Sequence, residues 1–364
     1  MYISSITLSN FRNYTSQKID FSPHTNVIIG DNAQGKTNIL EAVYLFSQGR
    51  SHRAKSDKEL IKFGCDFSKL SLDFHDAKRD YNGVIQLVKN GQKSIKINHV
   101  QITKLSMLMN YLNVVMFSPE DLNLVKGSPS ARRRFIDSSV SQLYPAYLTS
   151  LIDYHKSLSQ KNSLLKALRT KGVKSDVMLS VWNEQLSREA EKIIRYRSEF
   201  VDLINKYASV IQSEISGEIL DITYSPGIKL DNFDTNSIFE YLEKNQKREI
   251  DFASSQIGIQ RDDIHITINK NEAKLYGSQG QQRTAALSMK IAQADYINHV
   301  KEEYPILLLD DIMSELDINR RLYLSQKIKG KQVLITSTDT DLLESTDSTK
   351  IFKIKNGSVI REET

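Results

Sequence analysis

Three kinds of hydrophobic pattern follow one another along the chain. The first is a series of short apolar runs. Ile3, Ile6 and Leu8 among small polar residues predict a strand over residues 1–8, a turn over 9–14 and a returning strand over 17–21. Residues 25–29 are apolar enough for a buried strand, and 38–46 carry helical spacing. Residues 67–100 alternate polar and apolar with glycine punctuation, which predicts antiparallel strands and hairpins. Residues 112–117 form a further core strand, ended by Ser118-Pro119, and 120–125 restart a helix with Ser118 as its candidate cap. Ser128-Pro129 reads as another helix start, with proline at the first helical position.

The second pattern runs from 138 to 215 and is helical throughout. Leu148, Leu151, Leu158, Leu165 and Leu168 lie on one run, and Leu179, Leu186, Ile193, Phe200 and Ile204 on the next. The break at 170–175 makes the pair an antiparallel helical hairpin. It reads either as a packed subdomain or as an arm that grips a partner, and Lys156, Lys161, Lys166, Arg169, Lys171 and Lys174 are consistent with the arm. The third pattern mixes both periods: strand-like at 217–230, helical at 235–252, a hairpin over 263–269 and 272–275, and an alanine-rich helix at 285–292. Apolar strands at 305–311 and 331–338 close the series.

Composition narrows the class. With 364 residues, 40% hydrophobic and 26% charged, the chain can bury a large core in one or two domains. It has no run of about 18 apolar residues and no basic-then-apolar leader pattern, so neither a membrane span nor a secretory signal is expected. The single cysteine, Cys65, excludes an internal disulfide, fits a reducing cytosol and reads as a small buried hydrophobe. A net charge of +5 permits a polyanionic partner without requiring one.

The chemistry sits at the ends of the apolar strands. Gly30-Asp31-Asn32-Ala33-Gln34-Gly35-Lys36-Thr37 matches the phosphate-binding pattern G-x-x-x-x-G-K-[ST], set between a strand and a helix. The glycines let the backbone aim its N–H groups at phosphate oxygens; Lys36 reaches the β- and γ-phosphates and Thr37 ligates Mg²⁺. Leu309-Asp310-Asp311 ends a fully apolar strand in carboxylates, with Asp310 placed to hold Mg²⁺ and Asp311 to orient an attacking water. Ser278, Gly280 and Gln281 precede the alanine-rich helix, a second anion site at a helix N-terminus. Arg12 is either a phosphate contact or a solvated turn residue. Arg50 and Arg53, beside His52, form a short basic cluster that could touch nucleotide or nucleic acid, or be a plain solvated loop. Arg132, Arg133 and Arg134 cannot all share one helical face, so at least one points toward a partner, an acidic residue or a phosphate, and the cluster reads either as a nucleic-acid contact or as internal salt bridging.

These motifs, in this order, resemble the ABC-type ATPases of the SMC/Rad50 class. Leu8 to Tyr14, Phe117 to Leu122, Gly127 to Asp137, Gly277 to Thr284 and Leu308 to Asp317 are similar to RecF-like recombination mediators in particular. The resemblance implies an α/β P-loop ATPase head of mixed sheet plus antiparallel β subdomain, over 1–137 and 216–364, with an α-helical hairpin second lobe at 138–215 and part of 216–300 beside it. It also implies an ATP-dependent head-to-tail homodimer in which Ser278, Gly280 and Gln281 face the γ-phosphate on the other subunit's Lys36. Gapped, junction or single-stranded DNA, RecR, RecO and RecA would be its partners, in repair, recombination, replication and the SOS response, in the cytoplasm at the nucleoid and not at a membrane. Three departures from the broader class stand out. Asp311 replaces the usual glutamate, which predicts slow hydrolysis. The usual switch histidine is absent, with Thr336 or Thr338 in its region. No glutamine is evident near 118–121, where a Q-loop is expected. A transporter ATPase would carry a coupling segment that this chain lacks, a chromosome-linking SMC protein needs far longer coiled coils, and no separate acidic cluster suggests a nuclease.

Overall fold

The computed structural model describes residues 1–173, 176–338 and 349–363, so Lys174 of the expected basic arm lies outside the described residues. The chain divides into two units: Met1–Leu122, Glu214–Gly217 and Ala286–Thr364 form the first, and Asn123–Ser213 with Glu218–Ala285 the second.

The first unit opens with β1 (Tyr2–Phe11), β2 (Tyr14–Asp20), β3 (Thr25–Ile29) and α1 (Lys36–Gln48). It continues through β4 (Phe67–His75), β5 (Asp80–Val88), β6 (Ser94–Ile97), β7 (Val100–Gln101), α2 (Leu105–Leu108) and β8 (Val114–Phe117). Strands in the order β2-β1-β4-β5-β6-β7 form an antiparallel sheet. A register shift between Ile3 and Ser5 resets the alternation of β1, so Ile3 is buried along with Ile6 and Leu8; Phe11 is buried too, and the strand runs past the expected end at residue 8. Ile6, Leu8, Leu70, Leu72 and Ile85 from this sheet share one core with Leu40, Val43 and Phe46 of α1. Each such side chain contributes about 1.5–3 kcal/mol by leaving water. The expected helix at 120–125 is a 3-10 turn, Pro119–Leu122, followed by α3 (Asn123–Lys126). Ser118 is not its side-chain cap; its backbone N–H instead donates to Asp121 Oδ2 at 2.7 Å.

The second unit holds α3, α4 (Pro129–Leu143), α5 (Pro145–Lys171), most of α6 (Val177–Ser216), β9 (Leu220–Ser225), α7 (Thr235–Lys244), α8 (Gln246–Phe252), β10 (Asp263–Ile268), β11 (Asn271–Glu272), α9 (Ala273–Tyr276) and the start of α10 (Gln279–Lys301). Pro129 opens α4 at its first turn, as the sequence predicts. The uninterrupted helix expected from 138 is broken at Tyr144, because Pro145 has no N–H to continue α4 and instead starts α5. α5 and α6 form the hairpin, and α6 alone, at 40 residues, is about 60 Å long. Arg197 of α6 is buried and bonds Asp137 at 2.8 Å and Asp262 at 2.6 Å, locking the hairpin to the segment before β10. The helix expected at 235–252 is two helices parted at Asn245.

The first unit closes with β12 (Ile306–Asp310), α11 (Ile312–Glu315), α12 (Ile318–Ile328), β13 (Val333–Ser337), β14 (Thr349–Lys355) and β15 (Ser358–Glu363). The second six-stranded sheet has the order β15-β14-β3-β13-β12-β8, parallel apart from the edge strand β15. Its central strands β3, β12 and β13 are buried on both faces, which is why they read as continuous apolar runs. Gln332 ties the two sheets together: its amide exchanges hydrogen bonds of 2.6 and 2.7 Å with the backbone of Ile3. Ligands of such sheets bind beyond the carboxyl ends of the parallel strands, where the phosphate-binding loop and the paired carboxylates both lie.

Candidate nucleotide-binding site

The loop between β3 and α1 has the backbone its glycines permit. Gly30 has φ of 157° and a Cβ there would stand 2.5 Å from the Ile354 carbonyl oxygen; at Gly35, with φ of 113°, a Cβ would stand 2.6 Å from Asn13 Nδ2. Any side chain at either position would therefore open the loop. Lys36 is buried and its ammonium donates to the carbonyls of Gly30 at 2.6 Å and Asp31 at 3.1 Å, which holds the charge at the mouth of the loop. Asp31, Asn32 and Ala33 are exposed on the rim, where their backbone is accessible. Gln34 is clamped from both sides: its carbonyl accepts from Asn13 Nδ2 at 2.8 Å and from Gly357 N–H at 3.1 Å, and its Oε1 accepts from Asn356 N–H at 2.7 Å. Tyr14 donates to the Gly35 carbonyl at 3.0 Å, and burial pushes its phenol well above the ordinary range.

Strand register brings the second half of this centre to the same level. Asp310 of β12 lies opposite Thr336 of β13, and Thr336 lies opposite Ile28 of β3. Thr37 and Thr336 hydroxyls both donate to Asp310 Oδ1 at 2.8 Å, and the Asp311 N–H donates to Thr336 Oγ1 at 3.0 Å. A hydroxyl and a carboxylate at hydrogen-bond distance are the hard oxygen donors that Mg²⁺ takes alongside phosphate and water. Thr37 and Asp310 thus fit the ion that the motif implies. Among the described residues no group of three or more His, Cys, Asp or Glu side chains could cage a metal by itself. Asp311 sits at φ of 52°, in the left-handed region, which turns its carboxylate off the strand line. Burial raises its pKa, the nearby Lys36 opposes that rise, and Asp310 and Glu315 add to it.

The arginines separate by environment. Arg12 bonds Glu41 twice, Nε to Oε2 at 2.8 Å and Nη2 to Oε1 at 2.7 Å, and its Nη1 donates to the Glu59 carbonyl. Its guanidinium is therefore committed to the helix behind the phosphate loop, and a phosphate contact requires it to give up part of that fork. Arg50 and Arg53 are exposed in the loop after α1. His52 packs edge-on against Tyr44 at 5.1 Å, and burial lowers its pKa. The expectation of a nucleic-acid contact does not hold for Arg132: it is buried, forks onto Asp263 at 2.6 and 2.8 Å, and donates to the Gly127 carbonyl. Arg133 donates to the Asp262 carbonyl at 2.7 Å, whereas Arg134 is exposed. The division follows from the 100° step between helical residues, which sends neighbours to different faces.

In the second unit, α10 starts at Gln279 and not at Ala285, because Ser278 and Gln281 build a reciprocal cap. The Gln281 N–H donates to Ser278 Oγ at 3.2 Å and the Ser278 N–H to Gln281 Oε1 at 2.8 Å. Gln281 also donates to Glu218 at 2.6 Å, and the Gly280 carbonyl accepts from Thr284 at 2.9 Å. Ser278 and Gln279 are exposed, so the N-terminus of a 23-residue helix faces outward. Nothing in the sequence marks Glu41, Asn356 or Gly357 as part of this site, and Asn13 and Tyr14 carry the family resemblance without a role of their own.

A phosphate-binding loop, a carboxylate strand two places away in a parallel sheet, an adjoining antiparallel sheet and a helical hairpin together define an ABC-type ATPase head of the SMC class. The family model for the RecF/RecN/SMC N-terminal domain matches residues 2–360. The chain is 43% identical over 364 residues to the DNA replication and repair protein RecF of Clostridium perfringens strain 13, covering 99% of both chains. It is 40% identical over 373 residues to that of Lysinibacillus sphaericus, again covering 99% of both. Among solved structures it is similar to a recombination mediator RecF bound to ATP, with a TM-score of 0.92 at 34% identity, covering 100% of this chain and 98% of that one. An Smc head bound to the C-terminal winged-helix domain of ScpA shares the fold, with a TM-score of 0.58 at 17% identity. The chain belongs to the RecF family.

Proposed function

We propose that this protein is an ATP-gated, DNA-binding recombination mediator whose ATPase works as a slow switch. The observation that carries the reading is the convergence of Thr37, Thr336 and Asp310 through two 2.8 Å hydrogen bonds beside the phosphate loop. In this reading the loop amides and Lys36 hold the triphosphate, and Thr37 with Asp310 hold Mg²⁺, which neutralises charge on the β- and γ-phosphates. Asp311 orients the attacking water. Its carboxylate is one methylene shorter than a glutamate, so the water is held less well and hydrolysis is slow.

Two copies close head to tail around the nucleotide. Ser278, Gly280 and Gln281 of one copy donate to the γ-phosphate on the other's Lys36, using the N-terminus of α10 as an anion site. ADP lacks that phosphate, so ATP favours the closed pair and hydrolysis releases it. The closed pair binds gapped, junction or single-stranded DNA at the nucleoid, with Arg50, Arg53 and Arg134 among its cationic contacts. Acting with RecR and RecO, it helps load RecA in repair, replication restart and SOS induction. Among the described residues no helix is long and apolar enough to cross a membrane. Sedimentation with Mg-ATP, ADP or no nucleotide, with and without gapped duplex, tests the reading. It requires a dimer that depends on ATP and DNA binding that depends on the dimer.

A further inference from the structure

Among the described residues, Phe63 is the most exposed large apolar side chain, at 100%. It caps a loop that is held firmly. The Lys62 N–H donates to the Asn10 carbonyl at 2.8 Å, and its ammonium donates to Thr15 Oγ1 at 2.6 Å and to the Asn13 carbonyl at 3.1 Å. The Cys65 N–H closes the turn onto the Lys62 carbonyl at 3.0 Å. Gly64, at φ of 84°, has open space where a Cβ would be. A fully solvated phenyl group contributes nothing to the core, and the backbone beneath it is already fastened, so little further loop ordering is needed when a partner covers the ring.

The surroundings specify that partner. The thirteen residues before Phe63 carry five cations, Arg50, Arg53, Lys55, Lys58 and Lys62, against Asp57 and Glu59. Asp57 is already paired with Lys93 at 2.8 Å. Four residues on, Phe67 and Val88 face each other across β4 and β5 and are also exposed, at 48% and 41%, flanked by exposed Lys69 and Lys89. An aromatic platform set among cations is the combination that binds single-stranded nucleic acid: the cations track phosphates and the ring stacks on an unpaired base. A continuous duplex offers only phosphates, because its bases are already stacked.

We propose that Phe63 is a base-stacking contact that lets this protein distinguish a single-stranded gap from continuous duplex. The inference rests on the DNA-binding reading above and adds to it the residue that reads DNA structure. The loop is fastened through Asn13 to Gln34 of the phosphate loop, so the contact sits on the same rigid element as the nucleotide site.

The test uses the full chain with Mg-ATP and fluorescein-labelled DNA, either a duplex with a short thymidine gap or the same duplex made continuous. Phe63→Ala is expected to weaken gapped DNA about tenfold and to leave continuous duplex unchanged, while Phe63→Trp keeps the gap preference. The only tryptophan is Trp182, so Phe63→Trp in a Trp182→Phe background gives a single reporter. Its emission should be quenched by gapped DNA and not by continuous duplex. Equal losses on both DNAs, no loss on either, or an unquenched reporter would overturn the stacking role. Failure of the unmodified protein to bind any DNA would instead overturn the DNA-binding reading itself.

Discussion

Arg12 and Glu41 form a two-point ion pair behind the phosphate loop, with both carboxylate oxygens engaged and the glutamate side chain fully buried. Burial is the largest single influence on Glu41 and favours its neutral form. Hydrogen bonds from Arg12 and Ser51, with the charges of Arg12 and Arg53, outweigh it and hold the pKa below the ordinary value. A depressed carboxylate stabilises the fold at neutral pH and loses that contribution as pH falls through its folded value. Glu41→Gln should therefore cost about 2 kcal/mol in urea denaturation at pH 7. The difference between variant and parent should shrink as pH drops below the glutamate range.

Lys36→Ala should abolish binding of a fluorescent ATP analogue under conditions that saturate the parent protein. Lys36 is the buried cation at the loop mouth, and its bonds are to loop carbonyls and not to the hydrophobic core. An unchanged unfolding midpoint alongside lost nucleotide binding is the expected pair of results.

Asp311→Asn should keep ATP and prolong the dimer, because the variant holds the nucleotide but cannot draw a proton from water. Asp311→Glu restores the missing methylene and should raise single-turnover hydrolysis. A glutamate variant no faster than the parent would show that side-chain length does not limit the rate.

Arg132 and Arg134 should fail differently. Arg132→Ala leaves Asp263 without its fork and should cost about 2 kcal/mol of stability. Arg134→Ala should leave stability unchanged and reduce the salt dependence of DNA binding by about one counterion. Titrations of both variants across a range of salt concentrations, beside urea melts, separate the two roles.

Legibility in the sequence followed locality. The phosphate loop and the carboxylate pair could be read because backbone conformation and strand burial write themselves into consecutive residues. Pro129 gave its helix start for the same reason. Register could not be read: that Thr336 stands level with Asp310 and completes the Thr37 contact depends on β13 lying between β3 and β12. Glu41 looked like an ordinary polar position on α1, since its partner is 29 residues away and its burial is a tertiary fact. The clamp from Asn356 and Gly357 lies further still from the loop it holds. The sequence leaves Arg132 open between two readings, and the position of Asp263 decides it.

The central claim is that each active centre draws on two copies of the chain. Ser278→Arg should lose about 1 kcal/mol through its broken helix cap, yet still bind ATP as a monomer. The most direct test mixes this variant with Lys36→Ala, each inactive alone, and measures ATP hydrolysis. If sites are shared, a mixed dimer pairs an intact phosphate loop from one copy with an intact serine from the other, so activity should rise well above the sum of the separate variants. Activity no greater than that sum, with mixed dimers present, would contradict the account.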